Sequence, residues 1–149
     1  MQTNPEEKII LLVEDNPDDE LLTMRALRRN NIANRVVVAH DGAEALDYLF
    51  ARGAHGNEQT VAPTLVLLDL KLPKVGGLEV LRQIRENPKT HSLPVVILTS
   101  SKEEADMVRG YELGCNSYIR KPVDFEQFNE SVKYLGMYWL VINEPPPAG

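Results

Sequence analysis

Four short apolar runs constrain this chain more than any other feature: KIILLV at 8–13, RVVVA at 35–39, TLVLLD at 64–69 and PVVILT at 94–99. They are nearly continuous rather than alternating, which is the pattern of strands buried on both faces. A weaker fifth run spans Asn116 to Arg120. The stretches between them carry helix signals. Asn16 is placed to cap a helix whose first residue is Pro17, and Asp18, Asp19 and Glu20 suit its positive end. Arg25, Arg28 and Arg29 suit the other end, before Asn30 and Asn31.

Asp41 with Glu44, Ser101 with Glu104, and Asp124 with Gln127 read as cap pairs for three further helices. The first of these runs from Gly42 to Phe50 and the second stops at Gly114. Another helix covers Gly77 to Asn87, with Leu78, Val80, Leu81 and Ile84 at helical spacing. The last helix has Phe125, Phe128, Val132 and Leu135 as apolar positions. Five strand–helix alternations imply right-handed crossovers: an α/β, doubly wound, five-stranded parallel sheet with helices on both faces.

The alternation takes up most of the 149 residues, which fits one domain over residues 8–142. Residues 1–7 read as an N-terminal arm and 143–149 as a Pro-rich tail. Residues 51–63 form a long helix-to-strand loop. A net charge of −6 gives the chain no broad electrostatic reason to hold DNA or anionic lipid. Cys115 is alone, which excludes an intrachain disulfide and suits a reduced, cytoplasmic setting. The N-terminus lacks a signal-peptide pattern, and the apolar runs fall short of the roughly 20 residues that a membrane helix needs.

Open parallel sheets bind ligands at the carboxyl ends of their strands. The first strand ends in Glu14 and Asp15, the third in Asp69, the fourth in Thr99 followed by Ser100 and Ser101, and the fifth in Lys121-Pro122. Carboxylates gathered at one rim repel one another, and a bound cation offsets this. Mg²⁺ takes hard oxygen ligands and typically joins one or two carboxylates to phosphate oxygens. A hydroxyl and an ammonium suit phosphoryl oxygens. Neither GxxxxGK[ST] nor GxGxxG occurs, so a glycine-rich nucleotide cradle is not expected.

In this set of residues the chain resembles the receiver domain of two-component response regulators. The matching residues are Glu14-Asp15, Asp69 in LLDLKLPKVGG with Pro73 and Gly77, Thr99 in VVILTSS, Tyr118, and Lys121-Pro122. The match covers Lys8 to Leu135. A narrower likeness is to single-domain regulators that partner phytochrome histidine kinases. It rests on the long loop after the second helix, the LPK turn after Asp69, and the aromatic segment Tyr138-Trp139-Leu140.

The resemblance implies a flavodoxin-like sheet of strand order 2-1-3-4-5. It implies that Asp69 accepts a phosphoryl group from a histidine kinase, with Mg²⁺ held by Asp15, by Asp69, by the Lys71 backbone carbonyl and, through water, by Glu14. Lys121 would pair with the phosphoryl group, its bond to Pro122 being cis, and Thr99 with Tyr118 would form the conformational switch. Output would pass to a downstream protein or a further phosphotransfer partner, since no effector segment is expected.

Tyr134 to Ile142 holds more apolar residues than one helix stripe needs. It is expected to form a homodimer seam, with Tyr138, Trp139 and Leu140 as candidate contacts, and the resemblance to the phytochrome regulators implies pairing through the face of helix four, strand five and helix five; folding back on its own domain is the alternative. Two rival functions stand beside the main one. An aspartate-based phosphatase would use an Asp-x-Asp pair, and here the second position is Lys71. A receiver-like interaction module that takes no phosphate would have lost an acid, the acceptor or the Lys, and all are present. The chain is therefore expected not to be an enzyme. His40, His55 and His91 show no metal spacing and are expected at the surface.

Overall fold

A computed structural model of the chain describes residues 9–29, 35–51, 62–100 and 103–120. The last expected helix, Lys121, Pro122 and the Tyr138–Leu140 segment lie outside the described residues, as do the tail and most of the 51–63 loop. The elements follow in the expected order: β1 (Ile9–Val13), α1 (Pro17–Arg29), β2 (Arg35–Ala39), α2 (Gly42–Leu49), β3 (Leu65–Leu68), α3 (Gly77–Glu86), β4 (Val95–Thr99), α4 (Glu104–Glu112) and β5 (Ser117–Arg120). All strand pairs are parallel and the order is β2-β1-β3-β4-β5.

The continuous apolar runs have the meaning that their pattern implies. Every residue of β1, β3 and β4 is buried. Successive side chains point to opposite faces, so each strand feeds two cores. Leu11, Val13, Val66, Leu68, Val95 and Ile97 pack with Ala45 and Leu46 of α2 and Val80, Leu81 and Ile84 of α3. Ile10, Leu12, Leu65, Leu67, Val96 and Leu98 pack with Ala26 and Leu27 of α1 and with Ile119. Met24 leans on this second core.

Local signals set the helix starts. The Asn16 side chain accepts from the N–H groups of Asp18 (2.9 Å) and Asp19 (3.2 Å), which caps α1 ahead of Pro17. Asp41 Oδ1 accepts from Glu44 N at 2.7 Å and caps α2. The return bond of a capping box would join Glu44 to the Asp41 N–H; instead Glu44 Oε2 takes the His40 N–H at 3.0 Å.

The fourth helix departs from expectation. It begins at Glu104 with Glu103 as N-cap and no side-chain cap bond, so Glu104 is its first residue rather than the third. Ser101, the other half of the expected cap pair, lies outside the described residues. The other end of α4 follows the sequence: Gly114 adopts φ +95°, and the N–H groups of Gly114 and Cys115 close on the carbonyls of Tyr111 and Gly110.

The candidate metal and phosphoryl site

Strand order determines where the chemistry gathers. β1 has β2 on one side and β3 on the other, so the order reverses between β1 and β3 and a crevice opens beyond their carboxyl ends. Glu14 and Asp15 leave β1 at that crevice, and Asp69 leaves β3 beside them, tied back by its N–H to the Val13 carbonyl at 3.1 Å. One carboxylate oxygen from each of the three residues lies within 4.8 Å of the others. Glu14 and Asp69 are buried, at 2% and 6% exposure, while Asp15 faces solvent. Among the described residues this is the acidic cluster tight enough to hold a cation. Its all-oxygen donor set suits a hard divalent ion such as Mg²⁺ or Mn²⁺ rather than a thiophilic one.

The two buried carboxylates are oriented by backbone. Asp69 Oδ1 accepts from Leu70 N at 2.7 Å and from Lys71 N at 3.4 Å. Glu14 Oε2 accepts from Asn16 N at 3.3 Å, and the Glu14 N–H donates to the Ala39 carbonyl at 3.0 Å. Lys71 follows Asp69 by two residues, with its backbone in the same loop and its side chain exposed. That loop is closed by Gly77 N donating to the Leu70 carbonyl at 2.9 Å. A Cβ on Gly77 would lie 2.1 Å from the Asp69 carbonyl oxygen, so only glycine fits where α3 starts against the site.

Thr99 is fully buried at the end of β4. Continuing the register Leu68↔Ile97 puts Asp69 alongside the Leu98–Thr99 end of that strand. Tyr118 pairs with Ile97 in β5 and is half-buried over Gly110, its ring 6.5 Å from that of Tyr111. The structure thus brings Glu14, Asp15 and Asp69 together, with Thr99 on the adjoining strand, and places Tyr118 one strand further out. Lys121 and the Lys121–Pro122 bond fall outside the described residues. His40 and His91 are at the surface, as expected; His40 Nε2 lies 3.1 Å from Glu20 Oε1. The amides of Leu70 and Lys71 that hold Asp69 have no side-chain signature and were not foreseeable from composition or spacing.

Comparison with known proteins agrees with this geometry. The family pattern described as the response regulator receiver domain matches residues 10–133. Response regulator Rcp1 of Synechocystis is 37% identical over 147 residues, covering 99% of this chain and 98% of that one. Its Mn²⁺-bound crystal structure superposes with a TM-score of 0.82 over 94% of this chain and 99% of that one, at 36% identity. The phosphorylated cyanobacterial phytochrome response regulator RcpA gives a TM-score of 0.82 at 39% identity, covering 95% and 99%. The bacteriophytochrome response regulator AtBRR is 54% identical with a TM-score of 0.76, covering 94% of this chain and all of that one.

Proposed function

The chain belongs to the response regulator receiver family, and on that premise we propose that it takes a phosphoryl group onto Asp69 from a phytochrome-type histidine kinase and signals by a change of surface. The observation that carries this reading is the convergence of Glu14, Asp15 and Asp69 at the point where strand order reverses. The phosphorylated RcpA and the Mn²⁺-bound Rcp1 have the same fold, and the resemblance to RcpA and AtBRR supports a phytochrome kinase as donor.

The chemistry follows from residue positions. An Asp69 carboxylate oxygen attacks the phosphorus of a phosphohistidine; the P–N bond breaks, its electron pair returns to the imidazole, and a mixed anhydride forms on Asp69. The Leu70 and Lys71 amides hold the carboxylate in position through Oδ1. Asp15, Asp69 and the Lys71 carbonyl, with Glu14 through water, would hold Mg²⁺. When bound, the ion spreads the charge that builds on the phosphoryl oxygens. Thr99 and Lys121 take phosphoryl oxygens, and Tyr118 moves inward as the Thr99 hydroxyl turns toward the phosphoryl group.

The surface that changes is α4 and β5 together with the segment that follows, and we propose that this face pairs two copies through Tyr138, Trp139 and Leu140. Exposed Val108 and Tyr111 on α4 support an apolar contact there. Among the described residues no helix is long and apolar enough to cross a membrane.

The test is phosphotransfer from a panel of autophosphorylated histidine kinases, phytochrome kinases among them. Rapid transfer from a phytochrome kinase, giving a hydroxylamine-sensitive label that Asp69→Asn abolishes, is expected. Faster transfer from unrelated kinases would reassign the donor. A label insensitive to hydroxylamine would contradict aspartyl chemistry altogether. Sedimentation showing only monomer at micromolar concentration, with and without phosphorylation, would overturn the dimer.

A further inference from the structure

We propose that Asp41 and Gly42, at the corner between β2 and α2, are positioning residues for the metal and phosphoryl site; this rests on the function proposed above. They touch neither the acidic cluster nor any group that reacts. They hold the loop from Leu70 to Gly76, which carries the Lys71 carbonyl and the two amides that orient Asp69.

Three contacts join the corner to that loop. Gly42 N donates to the Pro73 carbonyl at 3.5 Å. Gly42 also lies so close to Val75 that a Cβ there would be 1.9 Å from the Val75 carbonyl oxygen and 2.7 Å from its carbon. Asp41 uses its two oxygens in different directions: Oδ1 caps α2, and Oδ2 lies 3.7 Å from Lys74 Nζ. Lys74 has φ +68°, a left-handed conformation that a lysine adopts only when its surroundings hold it. The loop between Leu70 and Gly77 is thus clamped on one side by α3, through Gly77, and on the other by the α2 N-terminus.

The two sides of the clamp differ in stiffness. α2 is anchored in the core by the buried Ala45, Leu46 and Tyr48, whereas beyond Leu70 only Leu72 and Val75 of the loop lean on that core, half-buried, and Lys71, Pro73, Lys74 and Gly76 are exposed. A side chain forced in at position 42 therefore displaces the loop rather than the helix. Clearing the Val75 carbonyl needs a shift of about 1 Å, and a misplacement of that size can lower the rate of a positioned reaction by about 10²-fold.

The experiment uses the full chain and Mg²⁺ alone as probe, read by calorimetry, with backbone amide shifts of residues 70–77 recorded before metal is added. Gly42→Ala is expected to move those shifts in the metal-free protein and to raise the Mg²⁺ Kd by about tenfold. Asp41→Asn keeps a good cap but removes the charge facing Lys74, and is expected to raise Kd by about threefold. Ile84→Val, on the buried face of α3, lowers stability without touching the loop and should leave Kd unchanged.

If Gly42→Ala does not fold, Asp41→Asn decides. Unchanged Mg²⁺ affinity in the folded variants, or an equal loss in Ile84→Val, overturns the positioning role. Failure of the wild-type protein to bind Mg²⁺ would instead overturn the underlying site.

Discussion

Replacing Asp15 by Asn should change stability in opposite directions with and without metal. Two unit charges at 4.8 Å, the outer limit of the separations within the cluster, repel by about 1 kcal/mol in bulk water and about 3–4 kcal/mol at an effective dielectric near 20. Asp15 is exposed, so the lower figure applies to its pairs with Glu14 and Asp69, and salt reduces the total to about 1 kcal/mol. In a chelator, Asp15→Asn is therefore expected to melt about 3 °C above the wild type. With Mg²⁺ at 100 times its Kd, the wild type gains about 2.7 kcal/mol by mass action, while the variant gains little. The order of melting temperatures then reverses. Differential scanning calorimetry in chelator and in a Mg²⁺ series measures both terms. A variant that melts at or below the wild type in chelator, and shares its full Mg²⁺ increment, would refute the reasoning that these carboxylates repel one another and share a cation.

Gly77→Ala must open the 2.1 Å approach to the Asp69 carbonyl oxygen, and urea unfolding should show a loss of about 3 kcal/mol, at the upper end for overpacking; a loss below 1 kcal/mol would mean that the loop yields easily. Arg85 donates to the carbonyls of His91, Leu93 and Gly114 and to Asn116 Oδ1. Removing it in Arg85→Met leaves several acceptors without their donor and is expected to cost about 2–3 kcal/mol in the same assay. The Arg82 guanidinium holds the Glu79 carboxyl down at about 2, with Gln83 adding a further hydrogen bond. Since that value is depressed in the folded protein, its contribution is present above the ordinary carboxylate range and is lost as pH falls toward 2. The pair is half-exposed and open to solvent screening, so the effect is small; the gap between wild type and Glu79→Gln in urea midpoint should narrow between pH 5 and pH 2, and a gap that widens would reverse the sign.

The strands were legible because burial on both faces leaves a continuous apolar run that polar punctuation must interrupt; β2 ends at the residues expected and the other boundaries differ by about one residue. Caps with short-range partners, Asn16 and Asp41, were legible for the same reason: donor and acceptor lie within three residues. The start of α4 was not legible in the same way: Glu104, expected as the third residue, is its first, and Ser101 lies outside the described residues. The acidic cluster was legible as three strand ends, since parallel topology brings those ends to one rim. What could not be read are contacts to backbone across long separations. Arg85 reaches Gly114, 29 residues away, through a carbonyl that any residue would supply. The approach of Gly42 to Val75 is a matter of clearance between two backbones, which neither residue type announces.

The proposed function turns on Asp69 as the residue that accepts the phosphoryl group. The most direct measurement is mass mapping of the protein after incubation with Mg²⁺ and acetyl phosphate, with Asp69→Asn run in parallel. One phosphoryl group per chain, on Asp69, and none on the variant, is expected. A phosphoryl group on any other residue of the wild type, or undiminished labelling of Asp69→Asn, would contradict the proposed function.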